Sequence, residues 1–330
     1  MNELTLFQAV ELFVLDKEAA GYSRYTIRNY RNTFSKVKAF LHGLDPPLSQ
    51  MKHGRWAAFF AWLQNDYASE PDGIAYRGKI VLSPKSVCNV HTDLSAFYTW
   101  AVKRNLIDEH VIRGIERPRY ERPVIEPFTR DEVRRLLQAC QLTRTWRDSS
   151  TRSQRATAAR DRAIILTLLS TGMRVSELCR ITLENINFVE QSIKVAGKGR
   201  GRDSKERLVY IGRRATRAIT RYLAPRLKDQ RPAEPLFYVG PDDERRPFSR
   251  DVLRRLLKRI GDRAGVAHVY PHRFRHTFAV NYLRNGGDVL TLQALLGHES
   301  LDMVRLYVKL AAQDCANVHR SADPVDNWKL

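Results

Sequence analysis

In the first 118 residues the apolar positions recur every three or four residues, the spacing that gathers side chains on one face of an α-helix. One helix is expected over about residues 5 to 20, broken by Gly21. Ser23 caps a second, SRYTIRNYRNTFSKVKAFLH, in which Ile27, Tyr30, Phe34, Val37 and Phe40 make an apolar stripe. Pro46 and Pro47 end that pair, and a third helix runs roughly from Lys52 to Tyr67. The polar stretch ASEPDGIAYRGK reads as a loop. Ser83 and Pro84 then open SPKSVCNVHTDLSAFYTWAVKR with a cap followed by a proline at the first helical position. Residues 1–118 are therefore expected to form a small helical domain.

The pattern lapses over ERPRYERPVIEP, whose prolines and charges predict a linker over residues 119–127. Helical spacing returns in a domain spanning 128–330, which opens with TRDEVRRLLQAC, where Thr129 and Glu132 form a capping box. The Ser-, Thr- and Arg-rich stretch QLTRTWRDSSTRSQRATAAR reads as a mobile loop, and RDRAIILTLLSTG as a buried helix. QSIKVAGK and RLVYIG alternate with period two around a Gly- and Arg-rich turn, so a β-hairpin is expected with Lys198 near its tip. Helices are predicted over about 213–224, 249–264, 272–285, 289–296 and 300–318. The fold class is mainly α with a small β-hairpin, the second domain being α+β.

Charge changes this picture by naming a partner. Lys and Arg number 56 against 36 Asp and Glu, a formal net charge of +20, which favours a polyanion such as nucleic acid. Residues 119–330 carry +17 of it. Candidate DNA contacts are Arg28, Arg31 and Lys85 in the first domain, Arg119 in the linker, Arg200, Arg202, Lys205 and Arg207 around the hairpin, and Arg273. A generally basic, solvated surface is the alternative for individual arginines. Four dispersed cysteines form no CxxC pair, which argues against a disulfide framework or a cysteine zinc site. The N-terminus does not read as a signal peptide, and no apolar run approaches the ~20 residues of a membrane span. A soluble, cytoplasmic, nucleoid-associated protein is expected.

The chemistry concentrates in four short segments. STGMRVSEL places Arg174 after an apolar helix with Glu177 three residues on, where a guanidinium can grip phosphate oxygens while the carboxylate orients it; a purely structural ion pair is the alternative. AGKGRG sets Lys198 between glycines, able to approach a ligand closely or simply to remain solvated. In PHRFRHT, Pro271 starts a helix that projects His272, Arg275 and His276. LLGHESLDMVRLY holds His298 and, nine residues later, Tyr307, either a nucleophile or an aromatic anchor. His268, His272 and His276 are spaced four apart, but Pro271 should remove His268 from the helical face, and no HExxH glutamate is present; no metal is expected.

Together these segments resemble the tyrosine recombinase, or phage integrase, family over essentially the whole chain. STGMRVSEL looks like its first arginine box, AGKG like its hairpin lysine, PHRFRHTFA like its HxxRHT box, and LLGHESLDMVRLY like its LGH box and nucleophile. GYSRYTIRNYR and LSAFYTWAVKRNLIDEH are similar to its SAM-like core-binding domain. The resemblance implies a two-domain clamp on duplex DNA and attack of Tyr307 on a scissile phosphate, giving a 3′-phosphotyrosyl link. It assigns Arg174, Arg275 and His298 to the phosphate charge, Lys198 to protonation of the leaving 5′-oxygen and His272 to proton transfer. It further implies no cofactor, a homotetramer on DNA exchanging strands through a Holliday junction, with room for an accessory DNA-bending protein, and mobile-element integration or excision as the role. GKGRGRDSKER is longer than the family's usual turn, which makes Lys205 a rival for the acid. A type IB topoisomerase-like enzyme and a non-cleaving sequence-specific DNA-binding protein are the competing readings.

Overall fold

The computed structural model describes residues 4–67, 82–120, 125–141, 157–196, 206–225, 231–240, 244–297 and 307–308. It divides into two compact units, Met1–Pro123 and Val124–Leu330, so the division falls inside the stretch read as a linker. Lys198, Arg200, Arg202, Lys205, His298, most of the Ser-, Thr- and Arg-rich loop and most of the expected 300–318 helix lie outside the described residues.

The first unit contains α1 (Leu6–Ala19), α2 (Arg24–Phe40), α3 (His53–Asn65) and α4 (Pro84–Lys103). Three of the four starts have a side-chain cap. Thr5 accepts from the Gln8 N–H in a reciprocal capping box, Ser23 accepts from Thr26, and Ser83 accepts from Ser86 ahead of Pro84. In α1 the buried Leu6, Ala9, Val10, Phe13 and Val14 follow helical spacing, and in α2 Ile27, Tyr30, Phe34 and Val37 do the same. These faces meet in an aromatic core where Phe13 packs edge-on against Tyr30 and Phe97. The buried Trp56 indole donates to the Tyr98 hydroxyl at 2.7 Å. Among the described residues no helix is long and apolar enough to cross a membrane.

The second unit begins with α5 (Arg130–Ala139), capped by Thr129 and Glu132 as the sequence predicts. Then come α6 (Ala158–Thr171) and the single turn α7 (Val175–Leu178). A three-stranded antiparallel sheet follows, β1 (Ile186–Asn187), β2 (Ser192–Ala196) and β3 (Glu206–Tyr210), in which Val195 faces Arg207. The remaining elements are α8 (Arg213–Leu223), the two-residue strands β4 (Tyr238–Val239) and β5 (Arg246–Pro247), α9 (Arg250–Ala264), α10 (Pro271–Arg284) and α11 (Val289–Leu296). The class is mainly helical with small antiparallel sheets, as expected. α6 runs through the core, burying Ala163, Ile164, Ile165 and Leu168, and packs against α8, α10 and β3. Its last turn and the first turn of α10 bring the chemistry of the unit together.

Candidate active site

Two helix ends build the centre of the site. α6 stops at Gly172, whose φ of +60° is the left-handed conformation that ends helices without steric cost only in glycine. A Cβ there would lie 2.4 Å from the Phe278 ring, so helix α10 also requires the bare backbone. The turn points the Gly172 carbonyl at Arg275, whose Nη1 donates to it at 2.9 Å. α11 ends in the same way at Gly297, φ +61°. There the Leu296 carbonyl accepts from Arg275 Nη2 at 2.7 Å, and the Gly297 carbonyl accepts from Arg174 Nη2 at 3.0 Å. Carbonyls at helix C-termini carry partial negative charge, which suits guanidinium groups. Arg275 is only 3% exposed, and burial, then repulsion by Arg174, pushes its pKa down to about 10, leaving it charged at neutral pH.

Arg174 stands at the start of α7, and Glu177 is its anchor. Glu177 Oε2 accepts from the Arg174 backbone N–H at 2.7 Å and Oε1 from Arg174 Nη1 at 3.1 Å. The same carboxylate receives Arg207 from β3, Nη1 on Oε1 at 2.8 Å and Nη2 on Oε2 at 2.9 Å. Burial works against this carboxylate, yet the hydrogen bonds and charge of Arg207, and after them Arg174, outweigh it and hold its pKa below the usual glutamate value.

Tyr307 is 1% exposed and sits with Ala279, Val280, Leu292 and Leu296. Its ring packs edge-on against His276 at 5.1 Å between centroids, and its hydroxyl oxygen accepts from Arg275. Burial raises the phenol pKa, and Arg275 and then Arg174 oppose the rise. His272 lies exposed in the first turn of α10; desolvation by surrounding atoms, then the charges of Arg275, Arg254 and Arg174, lower its pKa and keep the imidazole neutral at pH 7. The structure thus gathers Arg174, Glu177, Arg275 and Tyr307, with His272 close enough to Arg174 and Arg275 to feel their charge.

Two of the residues read as DNA contacts are corrected. Arg207 does not extend from the hairpin: its Nε donates to the Leu295 carbonyl at 2.8 Å, and its other nitrogens hold Glu177. Arg273 is turned inward, donating to the Glu126 and Ala267 carbonyls and to both oxygens of Glu132, with its guanidinium 4.0 Å above the Phe128 ring. Neighbouring His272 and Arg273 diverge by about 100° on a helix, so the basic run HRFRH cannot present every charge to one ligand. Arg28, Arg31, Lys85 and Arg119 are exposed; Arg31 pairs with Glu18, Arg119 with Glu116, and Lys85 donates to the Tyr120 hydroxyl. The sequence gives His276 no catalytic role. It is buried, its pKa lowered to about 4 by desolvation and then by His272 and Arg275, so it meets Tyr307 as a neutral ring. Its one sequence signal was the four-residue step from His272.

The sequence matches the phage integrase family model over residues 126–314. It is 30% identical over 315 residues to tyrosine recombinase XerD of Xanthomonas axonopodis pv. citri (strain 306), a match covering 92% of this chain and 93% of that relative. Tyrosine recombinase XerC of Vibrio vulnificus (strain YJ016) is 27% identical, with 92% and 87% covered. Among solved structures, the fold resembles that of the Tn1549 transposon integrase in complex with a circular intermediate DNA, with a TM-score of 0.67, 16% identity, and 91% and 94% of the two chains covered. A lambda integrase tetramer bound to a Holliday junction gives a TM-score of 0.65 at 18% identity, covering 93% and 78%.

Proposed function

The chain belongs to the phage integrase family, the tyrosine recombinases, and from that premise we propose that it cuts and rejoins DNA at specific sites through a covalent phosphotyrosine. The observation that carries the reading is the convergence of Arg174 and Arg275, each held by a helix-end carbonyl, with the Tyr307 hydroxyl bonded to Arg275. Fixed cations next to a phenol suit a pentavalent phosphorane, because its added negative charge is met by groups that need no reorganisation.

In the proposed step Tyr307 Oη bonds to phosphorus while the bond to the 5′-oxygen breaks. The phenol proton leaves towards His272, whose lowered pKa keeps it an acceptor at neutral pH. Lys198 donates the proton that completes the 5′-hydroxyl, and Lys205 is its rival. Arg174, Arg275 and His298 hold the non-bridging oxygens. Because Tyr307 is 1% exposed, attack requires the phenol to leave its packing against His276. The phosphotyrosyl bond conserves the energy of the broken linkage, so religation by a 5′-hydroxyl needs neither ATP nor a metal. Four protomers, two per recombination site, exchange strands in pairs through a Holliday junction. The first unit would hold the duplex with Arg28, Arg31 and Lys85, and Arg119 would follow the backbone, within the cytoplasm. Integration or excision of a mobile element, helped by an accessory DNA-bending protein, is the setting we favour.

The test is incubation with nicked suicide duplexes, followed by genomic mapping of the adducts. A covalent adduct that disappears in Tyr307→Phe is expected, and its absence from the wild type refutes the enzyme reading. Relaxation of supercoils without joining of two partner DNAs would instead indicate a topoisomerase. Adducts away from the ends of any mobile element would overturn the proposed setting.

A further inference from the structure

Arg207 and Glu177 are thirty positions apart, yet every nitrogen of the Arg207 guanidinium is committed to α7 or to the end of α11. The side chain is 13% exposed, and its fork takes both oxygens of Glu177 at 2.8 and 2.9 Å. Its Nε holds the Leu295 carbonyl at 2.8 Å, and a Cβ on Gly297 would lie 3.2 Å from its Nη1. Arg174 touches the same two places, Glu177 through Nη1 and the Gly297 carbonyl through Nη2. Arg207, Glu177 and Arg174 therefore form one linked set whose two ends rest on neighbouring carbonyls, Leu295 and Gly297, at the end of α11, and the chain runs from Gly297 directly into His298.

Two guanidinium groups around one carboxylate leave a net charge of +1. Without Arg207 the local charge is zero. Glu177 could then draw Arg174 into a bidentate pair, the geometry that guanidinium and carboxylate favour, and turn its donors away from an incoming anion. We propose that Arg207 is a positioning residue for strand cleavage: by occupying both oxygens of Glu177 it leaves Arg174 directed towards the scissile phosphate. The inference rests on Arg174 being a phosphate-binding group.

The test compares wild type, Arg207→Gln and Arg207→Lys on two suicide substrates built on the mapped cleavage position. One carries the ordinary phosphodiester and the other a methylphosphonate, in which a methyl group replaces one non-bridging oxygen and removes the negative charge. On the diester, Arg207→Gln should form adduct about 10²-fold more slowly, the loss typical of a removed oxyanion contact, while DNA affinity changes less than about threefold. On the methylphosphonate its rate should come within about threefold of wild type, since the transition state carries one negative charge fewer and leans less on Arg174. Arg207→Lys, which keeps the charge but not the fork, should fall between on the diester and match wild type on the methylphosphonate. Equal deficits on both substrates would mean that Arg207 only supports the fold, and wild-type rates on the diester would mean that it does not act at all; either overturns the proposal. Should Arg207→Gln fail to fold, Arg207→Lys carries the same comparison. A wild type that forms no adduct on the diester fails separately, because it removes the recombinase reading and this proposal with it.

Discussion

Replacing Glu177 by Gln tests the heart of the site, because four donors converge on two oxygens. Arg207 Nη1 and Arg174 Nη1 reach Oε1 at 2.8 and 3.1 Å, and Arg207 Nη2 and the Arg174 N–H reach Oε2 at 2.9 and 2.7 Å. An amide keeps one acceptor oxygen and turns an NH₂ group towards the other pair of donors, whichever way it is flipped. At least two hydrogen bonds to a charged group are lost, each contributing about 1.5–3 kcal/mol. A cost of about 3–5 kcal/mol follows, in line with the usual effect of breaking a buried ion pair. Hydrogen exchange in urea, followed at α6 and β3 amides, reads the second unit separately from the first. The pH dependence gives an independent check. The folded pKa of Glu177 is depressed below its reference value of 4.5, so its stabilisation is complete above 4.5 and is lost as pH falls through the lower folded value. The gap between wild type and Glu177→Gln should hold from neutrality to about pH 5 and narrow below 4.5. A gap under about 1 kcal/mol at neutral pH, or one that stays constant in acid, would refute the reasoning.

Gly172→Ala should destabilise the second unit by about 2–5 kcal/mol in chemical denaturation, combining left-handed strain with the overlap on Phe278, and should slow cleavage by moving the carbonyl that holds Arg275. The first-order rate of adduct formation should rise with pH through an inflection below 6.5, the ordinary histidine value from which His272 is lowered, and stay flat at neutral pH; His272→Ala should remove that inflection, measured on one suicide substrate across pH. Arg273→Ala should cost about 3–5 kcal/mol of stability, because it leaves Glu132 partly buried without its partner. Binding isotherms of the folded variant at several salt concentrations should nonetheless keep the wild-type salt slope; a slope shallower by about 0.9 would restore Arg273 as a phosphate contact.

Local features were the legible ones. Ser23, Ser83 and the Thr129 and Glu132 pair start their helices within four residues of sequence, and Arg174 and Glu177 are three apart, so their relation needs no tertiary information. Gly172 could be read as a helix stop, but not as a wall for Phe278 a hundred positions on. Arg207 was misread because its acceptors, Glu177 and Leu295, lie 30 and 88 positions away, while its near neighbours in sequence are basic. Arg273 was misread because composition counts charges without direction. β4 and β5 are two residues each, too short for any alternation to register, and α7 is a single turn.

Every described member of the arginine cluster, and Tyr307 with it, comes from the Val124–Leu330 unit. The described contacts that join Arg207, Glu177 and Arg174 to the end of α11 involve no residue from Met1–Pro123. If the Met1–Pro123 unit holds the duplex as proposed, breaking bonds and choosing the address fall to separate units of the chain. On that proposal, chimeras joined between the two units are expected to change where the enzyme acts and to leave the reaction intact.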